Sequence, residues 1–390
     1  MRMDQDYLEA VPSLIDATPW VLVTSSGWIE RGAVNDLMEV TVPPEDMVGD
    51  VPENPPVSFI ERLTGVKRAE LIVALGGGSV MDAAKGLAVV QALEGDMDTL
   101  HAHLKEGEPL PPDLRPSPVI CVPTTSGTGS EVTPWATIWG DEKVKFSLND
   151  PRLFPREAIL DPRLCLSMSR ELTLSSGLDA LSHAMESVWN NNHTPLSDQF
   201  AETAIRMLRA HFQAALESPD DVQSRREMQL AATTAGLAMG TTQTALSHSI
   251  SYPFTALFGM PHGLACSFTL PAVAEYNLGH DPERLEPIAR GLECDSQAIP
   301  EVIQAWFDDF KLGSELSRYV SVADIDNLGD NLITRARAKN NLRDVDGPTA
   351  KAIARRSLTR HFETGGEIGE TAPGEGTKGT DQTALGDPVN

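Results

Sequence analysis

Cysteine is scarce in this chain, and long apolar runs are missing. The four cysteines, Cys121, Cys165, Cys266 and Cys294, are far apart and form no CxxC pair, which argues against a disulfide framework and a cysteine-based zinc site. No run reaches the roughly 18 apolar residues that a membrane helix needs. The start, MRMDQDYLEA, also lacks the apolar core of a signal peptide. We therefore expect a cytoplasmic protein with no membrane partner.

Positive charge is also in short supply. The 390 residues include 31 Lys and Arg against 56 Asp and Glu, which gives a formal charge of −25. Such a chain repels polyanions, so nucleic acid is not an expected partner. Hydrophobic residues make up 41% of the sequence, which is enough for a large core. At roughly 100 to 200 residues per domain, this length predicts two domains.

Three apolar segments predict buried strands. They are WVLVTSSG from Trp20, LIVALGGGS at 71–79 and PVICVPTT at 118–125. The second segment leads into VMDAAKGLAVVQAL, which has helical periodicity. Because strands and helices alternate, we predict an α/β architecture with a largely parallel sheet.

The sequence pattern changes twice further along the chain. After the segment AILDPRL, strand signals fade and apolar residues recur at helical spacing. Large apolar residues disappear from about Thr364, where Gly, Thr and acidic residues dominate. We predict an α/β dinucleotide-binding domain at 1–164, an all-helical metal-binding domain at 165–363 and a disordered acidic tail at 364–390.

A glycine turn follows the second predicted strand. The GGGS motif at 76–79 precedes a helical segment, so backbone N–H groups and a helix N-terminus can face a pyrophosphate. The motif is not a GxGxxG fingerprint, because Met81 takes the last glycine position, and it lacks the ending of a Walker A loop. A plain tight turn is the alternative. The hydroxyl-rich segment PTTSGTGSE at 123–131 favours the dinucleotide interpretation.

Four residues form a candidate metal site. Asp179 and His183 are spaced i, i+4, which places a carboxylate and an imidazole on one helix face. His248 and His262 lie fourteen positions apart in ALSHSISYPFTALFGMPHG. One carboxylate with three imidazoles suits Fe(II) or Zn(II) better than Mg or Ca. A structural role is the usual explanation for any single histidine among the 9 present, so the inference depends on the joint pattern.

Five motifs together resemble one enzyme family. GGGSVMDAAK, PTTSGTGSEVT, KFSLNDPRLFPREAILDPRL, GLDALSHAMES and GMPHG occur in this order, and in that order they resemble the iron-containing (group III) alcohol dehydrogenases. The likeness covers roughly 15–280. It implies a dehydroquinate-synthase-like fold, with an α/β dinucleotide-binding domain before an all-helical domain and the active site between them. The implied activity is metal-dependent, NAD(P)H-linked reduction of a small aldehyde to a primary alcohol by a homodimer.

The resemblance also assigns site residues. The implied metal ligands, for Fe(II) with Zn(II) as the alternative, are Asp179, His183, His248 and His262. The implied cofactor contacts are Gly77, Gly78 and Ser79 at the pyrophosphate, and Thr124, Thr125, Ser130 and Lys145 along the ribose and nicotinamide. Tyr252 and Lys145 are the expected catalytic residues, with Tyr252 as a candidate proton relay and the nicotinamide as the hydride source.

Two departures from the family pattern matter. Many NAD-preferring members have an Asp after the first strand, whereas this chain reads Thr24-Ser25-Ser26. A carboxylate there would repel a 2′-phosphate, so its absence admits NADPH as well as NADH. Tyr252 stands where many members have a further histidine. A phenol can relay a proton, although its ordinary pKa near 10 makes it a weaker base.

Segments around the metal residues narrow the expected substrate. WNNNHTPLSD at 189–198 and SHSISYPFTALFGMPHG resemble the phosphonoacetaldehyde reductases within the family. A phosphonate needs cationic or N–H donors, for which the motifs offer Lys145 and the asparagines at 190–192. A helix C-cap is the alternative role for these asparagines. Trp135 and Met239 correspond to substrate-lining positions in related lactaldehyde reductases, with core packing as the alternative.

Other functions stay open at this point. A general short-chain alcohol or lactaldehyde dehydrogenase would share every motif. A dehydroquinate-synthase-like lyase would share the fold, NAD and a divalent metal, but its sites typically use one Glu and two His as ligands. A non-catalytic dinucleotide sensor would need no Lewis acid, which argues against that function.

Overall fold

A parallel sheet organises the first part of the chain. The computed structural model describes residues 1–140, 144–328, 332–333 and 335–364. Within them, six strands form a sheet of order β1-β8-β5-β4-β2-β3, all parallel, and β6 pairs with β7 in an antiparallel hairpin. The strands are β1 (Arg2–Met3), β2 (Trp20–Thr24), β3 (Asp46–Val48), β4 (Leu71–Gly76), β5 (Val119–Pro123), β6 (Trp135–Trp139), β7 (Lys145–Asn149) and β8 (Glu157–Leu160).

Both faces of this sheet are buried, as expected for parallel strands. Alternate residues point to opposite faces: Val21 and Ile72 belong to one apolar cluster, and Leu22 and Val73 belong to the other. The helices in this part of the chain are α1 (Tyr7–Ile15), α2 (Ser26–Glu30), α3 (Ala33–Val40), α4 (Val57–Arg62), α5 (Gly78–Ala92) and α6 (Met97–Glu106).

Helices make up the rest of the described chain. They surround one large apolar core in which Trp189, Phe212 and Phe254 are fully buried. None of the described helices is long and apolar enough to cross a membrane. The helices are α7 (Arg170–Val188), α8 (Pro195–Glu217), α9 (Val222–Thr242), α10 (Leu246–Phe258), α11 (His262–Ser267), α12 (Leu270–Leu278), α13 (Glu286–Leu292), α14 (Ile299–Asp309), α15 (Leu312–Leu316), α16 (Val322–Asn327), α17 (Arg335–Ala338) and α18 (Gly347–Thr364).

The predicted fold class is confirmed: a parallel α/β part precedes a helical part. The three predicted apolar segments contain β2, β4 and β5, and the glycine turn after β4 leads into α5. The helix begins at Gly78, inside the GGGS motif. The domain boundaries stay predictions. The predicted tail at 364–390 lies outside the described residues after Thr364.

Candidate active site

The two predicted cofactor segments, GGGS at 76–79 and PTTSGTGSE at 123–131, meet at the carboxyl edge of the sheet. Adjacent β4 and β5 end together, with Gly76 in register with Pro123. Gly77 is the N-cap of α5. A Cβ on Gly77 would lie 3.2 Å from Thr125 Cγ2, and one on Gly78 would lie 2.7 Å from Thr128 Cγ2. The glycines are thus required for close packing of the two segments at a helix N-terminus, where a pyrophosphate binds favourably.

The remaining predicted cofactor residues lie around this turn. The Thr124 amide donates to Gly76 O at 3.1 Å, and the Thr124 side chain is buried. The Asn54 amide donates to Ser79 Oγ at 3.1 Å, which adds the segment after β3 to the same edge. Ser130 Oγ donates to Asp82 Oδ1 at 2.9 Å. The structure therefore brings together the hydroxyl groups of both motifs.

A buried lysine that the sequence analysis missed fixes the segment after Ser130. Lys85 is fully buried on α5, and its Nζ donates to Ser130 O at 2.7 Å, Thr133 O at 2.9 Å and Trp135 O at 2.7 Å. Burial lowers the pKa of Lys85, and the Asp82 carboxylate opposes this shift. The i, i+3 pair Asp82–Lys85 within GGGSVMDAAK was the available signal.

The three predicted histidine ligands surround the carboxylate of Asp179. Asp179 Oδ1 lies 3.5 Å from His183 Nε2, 3.5 Å from His248 Nε2 and 3.9 Å from His262 Nε2. Asp179 and His183 come from α7, His248 from α10, and His262 begins α11. Burial acts to raise the pKa of Asp179, but the three imidazoles outweigh it and hold the pKa below its ordinary value. Burial lowers the pKa of His183, which favours its neutral, metal-binding form.

The donor set fits a divalent metal ion. Nε2 of His248 is buried and forms no hydrogen bond with the described residues, although such nitrogens are normally satisfied. A metal ion would supply the missing partner. Three imidazoles and one carboxylate suit a borderline ion such as Fe(II) or Zn(II).

Cys266 lies beside this site and was not predicted to take part. Its Sγ donates to Asp179 Oδ1 at 3.4 Å. Ligand atoms of Asp179, His248, His262 and Cys266 all lie within 4.8 Å of one another. By its position, Cys266 is therefore an alternative to His183 as the fourth metal ligand. Its spacing of i, i+4 from His262 was the signal available in the sequence.

Gly263 explains part of the GMPHG motif. A Cβ at this position would lie 1.7 Å from Ser175 O on α7, which is a severe overlap. Only glycine lets α11 approach α7 this closely, and that approach places His262 beside Asp179.

A cleft lies between the predicted cofactor segment at 123–131 and the predicted metal ligands. We call it the central cleft. Its lining includes Thr128, Ser130, Lys145 and Tyr252 together with the four predicted metal ligands. Lys145 Nζ lies 5.1 Å from the ring centroid of Tyr252. Burial acts to raise the pKa of Tyr252, but Lys145, Arg337 and His248 outweigh it and leave the pKa below its ordinary value.

The substrate expectations have mixed outcomes. Trp135 and Met239 line the central cleft. The asparagines at 190–192 instead donate to backbone carbonyls: Asn190 to Gln243 O, Asn191 to Lys339 O and Asn341 O, and Asn192 to Thr242 O. They are not among the cleft-lining residues, and the C-cap of α7 is Trp189. Arg337, which the sequence analysis did not consider, does line the cleft.

Comparison with known families decides the relationship. Residues 1–162 match the model of the iron-containing alcohol dehydrogenase family, and residues 173–355 match the model of its C-terminal part. The chain belongs to the iron-containing alcohol dehydrogenase family. The resemblance predicted from the five motifs is thereby confirmed, as is the corresponding fold. Named members are alcohol dehydrogenases and aldehyde reductases.

Individual relatives include phosphonoacetaldehyde reductase from Streptomyces viridochromogenes, which is 36% identical over 240 residues, or 60% of each chain. Choline dehydrogenase from Bacillus subtilis is 32% identical over 72% of this chain and 70% of its own. The phosphonoacetaldehyde reductase and the 1,3-propanediol dehydrogenases that match this chain are covered over only 56–60% of their own length. Sulfoacetaldehyde reductase from Bifidobacterium kashiwanohense has a similar structure, with a TM-score of 0.80 at 25% identity, covering 92% of this chain and 96% of that one.

Proposed function

We propose that this protein is a metal-dependent, NAD(P)H-linked reductase of small aldehydes that also oxidises the corresponding alcohols. One observation carries the proposal: Thr128 and Ser130, from the predicted cofactor segment at 123–131, line the central cleft together with the predicted metal ligands. Such an arrangement would allow a nicotinamide bound by the one segment to approach a substrate held at the metal residues. The family relationship supports the same reaction.

Each group has a distinct role in this proposal. Asp179, His183, His248 and His262 would hold the ion, most favourably Fe(II), with Zn(II) as an alternative. When bound, the ion acts as a Lewis acid that stabilises negative charge on the substrate oxygen. The GGGS turn and the 123–131 segment would hold the dinucleotide, whose nicotinamide would supply the hydride. Tyr252 and Lys145 line the same cleft, and we assign to them the delivery of a proton to the product oxygen.

The proposed substrate is phosphonoacetaldehyde, reduced to 2-hydroxyethylphosphonate. The name of the Streptomyces relative supports this choice. The protein with a similar structure is named as a reductase of sulfoacetaldehyde, an aldehyde with a sulfonate in place of the phosphonate, so the names of two relatives point to two-carbon aldehydes with an anionic head group. A general short-chain alcohol or lactaldehyde dehydrogenase is the second candidate, because 1,3-propanediol dehydrogenase from Klebsiella pneumoniae is 34% identical over 57% of the chain.

A substrate screen tests the proposal. The full-length protein, loaded anaerobically with Fe(II), would be assayed with NADH and with NADPH on phosphonoacetaldehyde, propanal, acetaldehyde and lactaldehyde. We expect kcat/KM for phosphonoacetaldehyde to exceed the others by at least about tenfold, or about 1.4 kcal/mol of transition-state binding. Equal values would favour the general dehydrogenase.

The same assay separates a lyase from a reductase. Net consumption of reduced nicotinamide, followed by its absorbance, is expected for every accepted aldehyde. A lyase of the dehydroquinate-synthase type would instead leave the cofactor unchanged over the reaction. We further propose a homodimer, which sedimentation of the holoenzyme would test.

A further inference from the structure

Two cationic side chains lie on the wall of the central cleft without a salt-bridge partner among the described residues, although the Asp82 carboxylate lines the same cleft and attracts Lys145. Lys145 and Arg337 both line the cleft beside Tyr252. Neither forms a salt bridge with any carboxylate among the residues that the structure describes. The chain has 56 acidic residues against 31 basic ones, so leaving two cations together and unpaired is unusual. An unpaired cation in a cleft is costly unless an anion compensates it.

Neutral groups hold Arg337 in place. Its Nη1 donates to Gln243 Oε1 at 3.0 Å and its Nη2 donates to Ser147 Oγ at 3.2 Å. The guanidinium carbon lies 5.1 Å from the ring centroid of Trp135. These contacts and a hydrogen bond with Tyr252 fix the guanidinium plane without a salt bridge to a described carboxylate. The group retains N–H donors beyond these bonds.

Side-chain hydrogen bonds also hold the backbone that follows Arg337. Asn191 donates to the carbonyls of Lys339 and Asn341, just after α17. Asn190 donates to Gln243 O, next to the side chain that holds Arg337. The asparagine-rich segment after α7 therefore positions both Arg337 and Gln243. The amide groups of these asparagines do not themselves line the central cleft.

The hairpin supplies the second cation. Thr137 of β6 is in register with Ser147 of β7, and side chains two residues apart on a strand share a face. Lys145 therefore shares a face with Ser147, the partner of Arg337. The intervening Phe146 instead packs against the core under the sheet. The two cations are thus carried by adjacent elements that face the same space.

We propose that Arg337 and Lys145 form the subsite that binds the tetrahedral anionic head group, phosphonate or sulfonate, of the aldehyde substrate. This inference rests on the proposed function and assigns Arg337 as the residue that determines specificity. A planar guanidinium can donate two parallel hydrogen bonds to such an oxyanion. The dinucleotide phosphates belong elsewhere, because the glycine turn before α5 provides their site.

The test compares Arg337→Gln and Arg337→Lys with a matched control, Arg343→Gln. Arg343 lies on the same segment but packs on Tyr276, at 4.1 Å from its ring centroid, and donates to Tyr276 O.

The first measurement is the ratio of kcat/KM for phosphonoacetaldehyde to that for propanal. We expect Arg337→Gln to lower this ratio at least about 30-fold, since truncating one partner of a desolvated charge pair is costly. Arg337→Lys should recover part of the loss, and Arg343→Gln should leave the ratio unchanged.

The second measurement is calorimetric binding of two unreactive anions to the full-length protein with metal and NADP⁺ bound. Ethylphosphonate and ethanesulfonate are the probes. We expect Arg337→Gln to weaken binding of the preferred anion at least about tenfold. The order of the two affinities in the unsubstituted protein assigns the head group.

These measurements separate the two proposals. If the protein binds ethylphosphonate through Arg337 but reduces no aldehyde, the proposed function fails and the subsite stands. If it reduces aldehydes but Arg337→Gln changes neither the ratio nor the anion affinity, the subsite is wrong. The subsite is also wrong if the substitution raises KM for NADPH as much as KM for phosphonoacetaldehyde, since Arg337 would then bind the cofactor.

Discussion

Nδ1 of His248 lies 2.6 Å from Oε2 of Glu186, a carboxylate that is completely buried. The same carboxylate accepts hydrogen bonds from the backbone amides of Ala245 and His248. Glu186 therefore fixes the ring of His248 and directs its Nε2 toward Asp179. The sequence analysis missed this residue, although it follows His183 by three positions on the same helix.

We predict that Glu186→Gln weakens metal binding about 10- to 100-fold, because carboxylates that orient ligating histidines have effects of this size. Glutamine keeps the shape but loses the charge that supports the imidazole. Metal affinity would be measured by competition with a chelator. Glu171→Gln, an exposed position on the same helix, is the control. Equal affinities in the two variants would contradict the orienting role.

His262 is the most exposed of the predicted ligands, with a side-chain exposure of 33% against 3% for His248. We predict that His262→Ala loses both bound metal and turnover while the fold is retained, because one imidazole of the set is gone and little packing is lost. Elemental analysis and circular dichroism would check this. His211→Ala, on α8, should keep its metal. A normal metal content in His262→Ala would refute the assignment.

The fourth ligand position is tested by two further variants. We predict that His183→Ala loses metal, whereas Cys266→Ala retains it within about tenfold, because the thiol donates a hydrogen bond to Asp179 rather than acting as a ligand. Metal content after identical dialysis would be compared. The reverse order, with metal lost only from Cys266→Ala, would assign the site to Asp179, His248, His262 and Cys266.

Ser25 is the N-cap of α2, directly after β2, at the sheet edge next to the glycine turn. We predict that NADPH is accepted at least as well as NADH, and that Ser25→Asp shifts the kcat/KM ratio about tenfold or more toward NADH, because a carboxylate repels the 2′-phosphate. Ser218→Asp adds the same charge in the helical part and should not change the ratio. Rejection of NADPH by the unsubstituted enzyme would contradict the prediction.

His361 predicts a pH dependence of stability. Burial lowers its pKa from 6.5 to about 4, and its ring nitrogens contact Gln304 Nε2 and Phe268 O. Its contribution is fully present above pH 6.5. As the pH falls toward 4, the unfolded chain binds a proton that the folded chain does not, so stability falls.

The shift corresponds to a loss of about 2 kcal/mol by pH 5 from this group. Urea unfolding of the unsubstituted protein and of His361→Gln would be compared at pH 7.5 and pH 5. Because glutamine does not titrate, the free-energy difference between the two should change by about that amount. A constant difference would show that His361 does not titrate as proposed.

The sequence by itself determined the parallel sheet and the glycine turn, and it predicted the four candidate metal ligands. Each depends on local pattern: apolar runs ending in small residues make buried strands, and the i, i+4 pair Asp179–His183 shares a helix face whatever surrounds it. The spacing of His248 and His262, supported by the family motifs, added them to the predicted set, and the structure brings their Nε2 atoms to within 3.9 Å of Asp179 Oδ1.

Only the tertiary structure decided which distant residues support that site. Glu186 reaches His248 across two helices, and Lys85 bonds a segment some 50 positions away. Arg337 lines the cleft on a segment that Asn191 holds by hydrogen bonds to its backbone carbonyls. The asparagines that the sequence suggested as phosphonate donors thus bond the backbone instead. No local periodicity encodes such contacts, since they arise from packing between elements that are distant in the sequence.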